Sequence, residues 1–366
     1  MTNNTIKVNL EQRSYDIIVG NNLGENLQNF LRNQKYSKII ILTDSNLDKL
    51  YNPYLKDLFK IDFEYVVVEA GEKTKSFGVL EKVCEEILQK NIDRSTLLVA
   101  FGGGVIGDLT GFVASILLRG IDFIQIPTSL LAMVDSSVGG KTAINAQVGK
   151  NLIGSFYQPK LVLCDLEFLK TLPVREFQNG YAEVVKYGLI FDKSFFNYLQ
   201  KNYLSFFDYN QEVLTSVVKR CCEIKAHIVA VDERESSSSG LRAILNFGHT
   251  FGHVLEAYFN YSNTLLHGEA VAIGMVMASK MSCNFNMLSS EHYQEIVEHF
   301  HKTGFTIDLK KFAKDWSINQ LIIHLYKDKK VENKNLVFIL LSEIGKAIVK
   351  KDVDVSEFEK VVKEFL

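Results

Sequence analysis

Between Gly102 and Asn151 the chain gathers glycines, lysines and an aspartate at spacings that suit an anionic ligand. In GGGVIGD, Gly102, Gly104 and Gly107 match G-x-G-x-x-G directly after the apolar run STLLVAF, so backbone N–H groups opening the next helix can close on a pyrophosphate. Asp135, Lys141 and Lys150 then place charge in a segment that is otherwise apolar, where charge is costly unless something compensates it. Taken alone, the glycine motif fits a tight strand-to-helix turn equally well. In a dinucleotide-binding unit it follows the first strand and an acidic residue ends the second; here it follows the third apolar run, and Asp122 begins a strand.

A second concentration of chemistry lies in NFGHTFGH and LLHGEA. His249 and His253, one helical turn apart, share a face that suits a divalent metal, with His267 close behind, although packed or surface histidines show the same spacing. The sequence is HTFGH and not HExxH, so the general-base glutamate of a metalloprotease is missing. Glu183 in NGYAEVVKYG offers a carboxylate ligand, or, with Lys186 one turn on, a surface ion pair. Arg242 and Asn246 precede His249 and extend its face, a set expensive to bury without a polar ligand. Asp44 and Asn46 follow the run KIIILT; a carboxylate there can accept ribose hydroxyls or cap the next helix, and on the residues alone the cap is favoured. His227, His292, His299, His301 and His324 have no such company and read as structural or surface groups.

The elements that must carry these residues show in the hydrophobic pattern. KIIILT (38–43), FEYVVVEA (63–70), STLLVAF (95–101) and DFIQIP (122–127) are short β-branched runs separated by amphipathic stretches, the rhythm of a parallel sheet covered by helices. Ligands in such sheets bind beyond the carboxyl ends of strands, which selects Asp44-Ser45-Asn46, Gly71 to Lys75, Gly102 to Asp108 and Thr128-Ser129. From about Leu172 the periods become helical, apart from LVFILL (336–341) and KAIVK after Gly345, a late hairpin-like pair. The expected architecture is an α/β, Rossmann-like nucleotide-binding domain over 1–170 and a mainly α-helical domain over 171–366. Ser236 to Ser239 reads as a flexible turn.

Composition removes several classes of function. A net charge of −2 provides no basic field for nucleic acid. No apolar run reaches membrane-spanning length, and the start lacks the basic and apolar regions of a secretory signal, so a cytoplasmic protein with no membrane partner is expected. Five cysteines without a CxxC pair read as reduced, mostly buried thiols.

Six segments in order, GGGVIGDLTGF, LLRGIDFIQIPTSLLAMVDSSVGGKTAIN, GKNLIGSFYQP, LKTLPVREFQNGYAEVVKYG, GLRAILNFGHTFGH and LLHGEAVAIGM, closely resemble the 3-dehydroquinate synthase family over nearly the whole chain. The resemblance implies a lyase of the shikimate pathway, on the route to chorismate and the aromatic amino acids. Such an enzyme converts 3-deoxy-D-arabino-heptulosonate 7-phosphate to 3-dehydroquinate and phosphate. It works by transient NAD oxidation at C5, phosphate elimination, re-reduction and intramolecular aldol closure. It also implies tightly held NAD, one divalent metal (zinc, with cobalt as the alternative) and a homodimer.

By this resemblance Glu183, His249 and His267 are the metal ligands, and His253 becomes a proton-transfer residue beside Lys186, Asp135 and Glu235. NAD is expected at Asp44, Asn46, Glu72, Lys75, Gly104, Val105, Ile106, Gly107, Asp108, Thr128, Ser129, Asp135, Lys150 and the turn Phe168, Leu169, Lys170 and Thr171. A phosphorylated sugar-acid substrate is expected to meet Lys225 and Arg242 through its carboxylate, and Lys141, Asn151, Lys329 or Lys330 through its phosphate. Arg119 of a second subunit completes the phosphate site, and Lys186, Asn246 and His253 complete the substrate set. One departure is that four serines separate Glu235 from Gly240, where the family has a shorter link. The neighbouring readings are another sugar-phosphate cyclase and a metal-dependent polyol dehydrogenase.

Overall fold

The computed structural model describes residues 4–235, 240–327, 331–332 and 335–366. Lys329, Lys330 and the serine run Ser236 to Ser239 lie outside the described residues. The chain divides into two compact units, Met1–Pro173 with Leu214–Arg234, and Val174–Val213 with Glu235–Leu366. The sequence division at 170 differs from this in one large respect, the helical stretch 214–234, which returns to the first unit.

The first unit is built on a seven-stranded sheet of β1 (Asn4–Val8), β2 (Tyr15–Gly20), β3 (Lys38–Asp44), β4 (Glu64–Val68), β5 (Thr96–Gly102), β6 (Phe123–Pro127) and β9 (Leu161–Asp165). Its order is β1-β2-β9-β6-β5-β3-β4, antiparallel only between β1 and β2. Every residue of β5, β6 and β9 is buried, which explains runs that are apolar on both faces. The helices α1 (Gly24–Arg32), α2 (Ser45–Phe59), α3 (Phe77–Gln89) and α4 (Gly104–Ile116) belong to this unit, and α3 and α4 supply Leu80, Val83, Ile87, Leu109 and Val113 to a core with Ile40, Leu42 and Leu98.

A separate hairpin, β7 (Lys141–Ala146) and β8 (Gly149–Phe156), packs on α4. Gly111 permits that approach, since a Cβ there would lie 2.3 Å from Thr142 Cγ2; within the hairpin, a Cβ on Gly154 would lie 2.0 Å from the Thr142 carbonyl oxygen.

The second unit is mainly helical. After α5 (Val174–Phe191) and α6 (Lys193–Phe207) the chain enters the long helix α7 (Gln211–Val231), whose body lies in the first unit. It resumes with α8 (His249–Tyr258), α9 (His267–Asn284), α10 (Ser290–Lys302), α11 (Ile318–Lys327), the strands β10 (Val331–Glu332), β11 (Asn335–Glu343) and β12 (Lys346–Val353), and α12 (Val355–Phe365). The expected late pair of strands is the antiparallel β11–β12 hairpin, turned at Gly345 with φ 90°. α5 and α9 are central, with runs such as Tyr181–Ile190 and Ala270–Ser279 buried without interruption. A helix buried all round is one surrounded by others.

Of the histidines set aside above, His299 on α10 is a buried core group. Its Nε2 lies 3.1 Å from the Tyr181 hydroxyl, with Phe196 and Tyr203 around the ring. Burial, with Lys302 adding to it, lowers its pKa from 6.5 to about 4. Between those values the unfolded chain takes up a proton that the folded one refuses, so stability is present above pH 6.5 and is lost as pH falls toward 4, by up to roughly 3 kcal/mol. In urea titrations from pH 7 to pH 4, His299→Gln is expected to show a shallower fall in stability than the parent chain; parallel curves would exclude His299 as a source of acid lability.

Candidate active site

The parallel strands of the first unit end where the sequence placed its loops. β3 ends at Asp44, which caps α2 by accepting from Asn46 N at 2.9 Å and Leu47 N at 3.1 Å, both through Oδ1. After β4, Gly71 at φ 112° turns the chain into Glu72–Thr74. Here Lys75 is buried, pairs with Asp108 Oδ2 at 2.6 Å and also donates to Asn151 Oδ1. Burial pushes the Asp108 carboxyl up, and Lys75 pulls it back. After β5 comes α4, whose N-cap is Gly103; no side chain caps it and its first turn carries no acid, as suits a helix end presented to an anion.

Gly104, Val105, Ile106 and Gly107 form the first turn of α4. A Cβ on Gly107 would stand 2.6 Å from Gln125 Oε1, so the third glycine of the motif serves helix-to-strand packing. The Ile106 side chain is buried in the core and so offers a ligand nothing. The same holds for Phe168 and Leu169: the Phe168 ring meets Tyr51 and Phe101 edge-on, each at 5.2 Å. Lys170 pairs with Glu167 at 2.6 Å, and the Thr171 hydroxyl meets that of Tyr51.

After β6, Thr128 N donates to the Gly102 carbonyl at 3.1 Å, and Ser129 Oγ accepts from Ala132 N at 3.3 Å. The π-helical turn Ala132–Ser136 then carries Asp135. Lys225 on α7, buried, donates to the Asp135 carbonyl at 2.6 Å and to Oδ1 at 2.7 Å. Lys141 is exposed at the start of β7, Lys150 is half-buried, and Asn151 is exposed with φ 56°. Arg119 stands apart, exposed beyond the last turn of α4, while Asp108 sits near the first turn.

In the second unit, ligand atoms of Glu183, His249 and His267 lie within 4.8 Å of one another. Glu183, on α5, is fully buried, and among the described residues neither of its carboxylate oxygens finds a hydrogen-bond donor beyond the ionic contact with Lys186 one turn on. His249 opens α8 after Gly248, whose φ of 79° only glycine adopts readily. Its Nδ1 faces the Phe247 carbonyl at 3.1 Å. A carbonyl only accepts, so Nδ1 carries the proton and Nε2, 3.6 Å from Glu183 Oε1, presents a lone pair. Burial, then the charges of Lys186, His253 and His267, holds the His249 pKa well below 6.5, so the ring is neutral.

His267 opens α9 in the same sense. Nδ1 lies 3.1 Å from Glu256 Oε2 and Nε2 lies 3.7 Å from Glu183 Oε1. Burial opposes charge on this ring, but the Glu256 and Glu183 carboxylates outweigh it and raise the pKa to about 10. One carboxylate and two imidazole Nε2 atoms around a buried, poorly compensated charge form a donor set that fits a divalent cation with open positions. His253, one turn along α8, lies outside this set, its ring centroid 5.4 Å from that of His249 and 6.4 Å from that of His267. Arg242 is buried, and Asn246 donates to Glu235 Oε1 at 3.0 Å.

The model of the 3-dehydroquinate synthase N-terminal region matches residues 65–179, and that of its C-terminal region matches residues 180–331. The chain belongs to the 3-dehydroquinate synthase family. A 3-dehydroquinate synthase of Bartonella quintana (strain Toulouse) is 45% identical over 364 residues, covering 96% of this chain and 96% of that protein. Among solved structures, a 2-deoxy-scyllo-inosose synthase complexed with carbaglucose-6-phosphate, NAD+ and Co2+ has a TM-score of 0.88 at 26% identity, over 99% of this chain and 100% of its own. The 2-epi-5-epi-valiolone synthase of Streptomyces hygroscopicus subsp. jinggangensis 5008, with NAD+ and Zn2+ bound, has a TM-score of 0.86 at 25% identity and 98% coverage of both chains.

For this member of the family, sequence reasoning missed the groups that aim the triad. Glu256 fixes His267, and its signal was its place one helical face along from His249 and His253. Arg175 clamps Glu269 through two contacts of 2.8 Å and Asn179 accepts from Gly268 N, which together seat the start of α9. Gly274 lets α8 and α9 touch: a Cβ there would lie 2.1 Å from the Gly248 carbonyl oxygen and 2.9 Å from Gly252 N. Carboxylates behind metal-binding histidines set ring orientation and basicity, and their loss weakens binding about 10- to 100-fold. Glu256→Gln is therefore expected to lower affinity for zinc or cobalt by about 10-fold or more, measured by competition with a chromophoric chelator. An unchanged constant would remove Glu256 from that role.

Proposed function

We propose that the chain is a lyase converting 3-deoxy-D-arabino-heptulosonate 7-phosphate to 3-dehydroquinate and inorganic phosphate, the shikimate-pathway step toward chorismate and the aromatic amino acids. The observation that carries this reading is the 45% identity to a 3-dehydroquinate synthase over 96% of both chains, against 26% and 25% for cyclases that make other rings. The buried Glu183, His249 and His267 set supports a catalytic metal site, with zinc the first choice and cobalt the alternative.

NAD is assigned to the loops beyond β3, β4, β5 and β6 and the Phe168–Thr171 turn. There the uncapped start of α4 takes the pyrophosphate, and Asp44, Asn46, Glu72, Lys75, Asp108, Thr128, Ser129, Asp135 and Lys150 surround the rest. When bound, NAD supplies a hydride acceptor and donor for C5 and the divalent ion polarises the oxygen on that carbon. The chain's own residues do the remaining work. Lys225 and Arg242 hold the substrate carboxylate, Lys225 arriving already desolvated on Asp135. Asn246 and His253 orient the hydroxyls around the metal side, with His253, Lys186, Asp135 and Glu235 as the groups that hold or move protons. Once C5 is a ketone, the C6 proton is acidic and its loss expels phosphate from C7. Lys141 and a lysine of the Lys329–Lys330 pair neutralise the departing anion, and the Asn151 carboxamide donates a hydrogen bond to it.

Arg119 completes the phosphate site from a second copy in a homodimer. Arg119 lies exposed beyond the last turn of α4, a position open to a neighbouring copy. A cytoplasmic setting agrees with five free cysteines and with the lack, among the described residues, of any helix long and apolar enough to cross a membrane.

Purified protein should release phosphate from the heptulosonate phosphate, lose that activity with chelator, and accumulate no stoichiometric NADH. Net NADH formation would support the polyol dehydrogenase reading instead. His267→Ala is expected to abolish phosphate release and weaken metal retention. Arg119→Ala should be inactive alone but regain activity when mixed with His267→Ala protomers, because one site in each mixed dimer then contains every group. Absence of complementation would confine Arg119 to its own subunit.

A further inference from the structure

We propose that Asn145 is a positioning residue that ties the cofactor loop Gly71–Lys75 to the phosphate-side strand β8, so that the two ligands meet one preset arrangement. The proposal rests on the roles given above to Glu72, Lys75 and Asn151. Asn145 reaches all three. Its Nδ2 donates to Glu72 Oε1 at 2.7 Å, its Oδ1 accepts from Asn151 N at 2.9 Å, and its backbone N donates to the Lys75 carbonyl at 2.8 Å. The amide orientation is forced, because a carboxylate accepts and a backbone N–H donates.

The backbone explains why an asparagine is needed there. In the β7–β8 ladder, Ile144 pairs with Ile153 but Ala146 pairs with Gly149, so Lys150, Asn151 and Leu152 bulge opposite the single residue Asn145. Within that bulge Asn151 takes φ 56°, a left-handed conformation that asparagine tolerates but that still needs support. The Asn145 carboxamide holds its N–H, while Lys75 holds its side chain from the other direction. Asn151 is thus gripped by one residue of the cofactor loop and by another that is itself bonded to that loop. The carboxamide supplies a donor on one side and an acceptor on the other, which neither aspartate nor alanine can do.

Three variants beside the parent chain and a Glu72→Gln reference test this, with NAD affinity by calorimetry, KM and kcat for the heptulosonate phosphate, and thermal midpoints without ligand. Asn145→Asp keeps the acceptor for Asn151 but sets a carboxylate against Glu72. It is expected to raise both the NAD dissociation constant and KM about 10-fold, with kcat and the thermal midpoint nearly unchanged. Asn145→Ala, which removes both bonds, should do the same or more. Adding Glu72→Gln to Asn145→Asp restores the bond with donor and acceptor exchanged, and KM should return to within about threefold of a Glu72→Gln reference, which carries the loss of the Glu72 cofactor contact by itself. A residue that served stability alone would lower the thermal midpoint and show no such rescue. Unchanged constants in Asn145→Asp, a change in only one of them, or failure of the double variant to recover KM would each overturn the inference. A parent chain that neither binds NAD nor turns over substrate would overturn the functional reading and this inference with it; a parent that does both, beside an unaffected Asn145→Asp, overturns this inference alone.

Discussion

A carboxylate that water does not reach, on a helix surrounded by others, dictates most of the second unit. Burying Glu183 costs several kcal/mol unless positive charge stands close to it. Lys186 provides it at Oε2 from the same helix, and the His267 ring adds to it at Oε1, the oxygen on which the neutral His249 Nε2 also converges. That convergence demands precision from elements remote in sequence. The close contact of Gly248 and Gly274 brings α8 and α9 together, the Phe247 carbonyl and Glu256 turn the rings, and the Arg175–Glu269 and Asn179–Gly268 contacts fix where α9 begins. A helix start displaced by one residue would turn His267 away by about 100°.

The first unit handles its charges differently. Lys75 lies against Asp108, and Lys225 against Asp135, each a buried lysine paired within the protein to a half-buried aspartate. Each lysine has therefore already lost most of its water, so much of the cost of fixing it in place falls on folding and less on binding an anion. The uncapped start of α4 is the complementary device, a partial positive charge made of backbone that no side chain quenches.

The fold was legible where local pattern and tertiary environment agree. KIIILT and STLLVAF announce β3 and β5 because strands buried on both faces have no polar side to show. β9 was missed: LVLCD is short, and its partners β2 and β6 are not its neighbours along the chain. The β7–β8 hairpin was missed because its half-exposed, glycine-containing strands show weak alternation and a bulge breaks their register. At the site, residue spacing alone favoured His249 with His253, since helical periodicity sees only neighbours one turn away. That Glu183 and His267 come to the same place follows from the packing of α5, α8 and α9, which no local window contains; family resemblance named them. Glu256 escaped both routes, because its part lies in aiming a ring.

The return of α7 has a consequence for how the molecule is made. The segment Val174–Val213 interrupts the first unit, whose remaining helix, with Cys222 and Lys225, is synthesised only afterwards. When the first 173 residues have left the ribosome, the turn that carries Asp135 still lacks its lysine, and the Met133 carbonyl still lacks the Cys222 thiol. The nucleotide-type unit is therefore not a module that matures first and waits for its companion. It closes only after part of the helical unit has emerged, so the order of synthesis ties the completion of one unit to the start of the other.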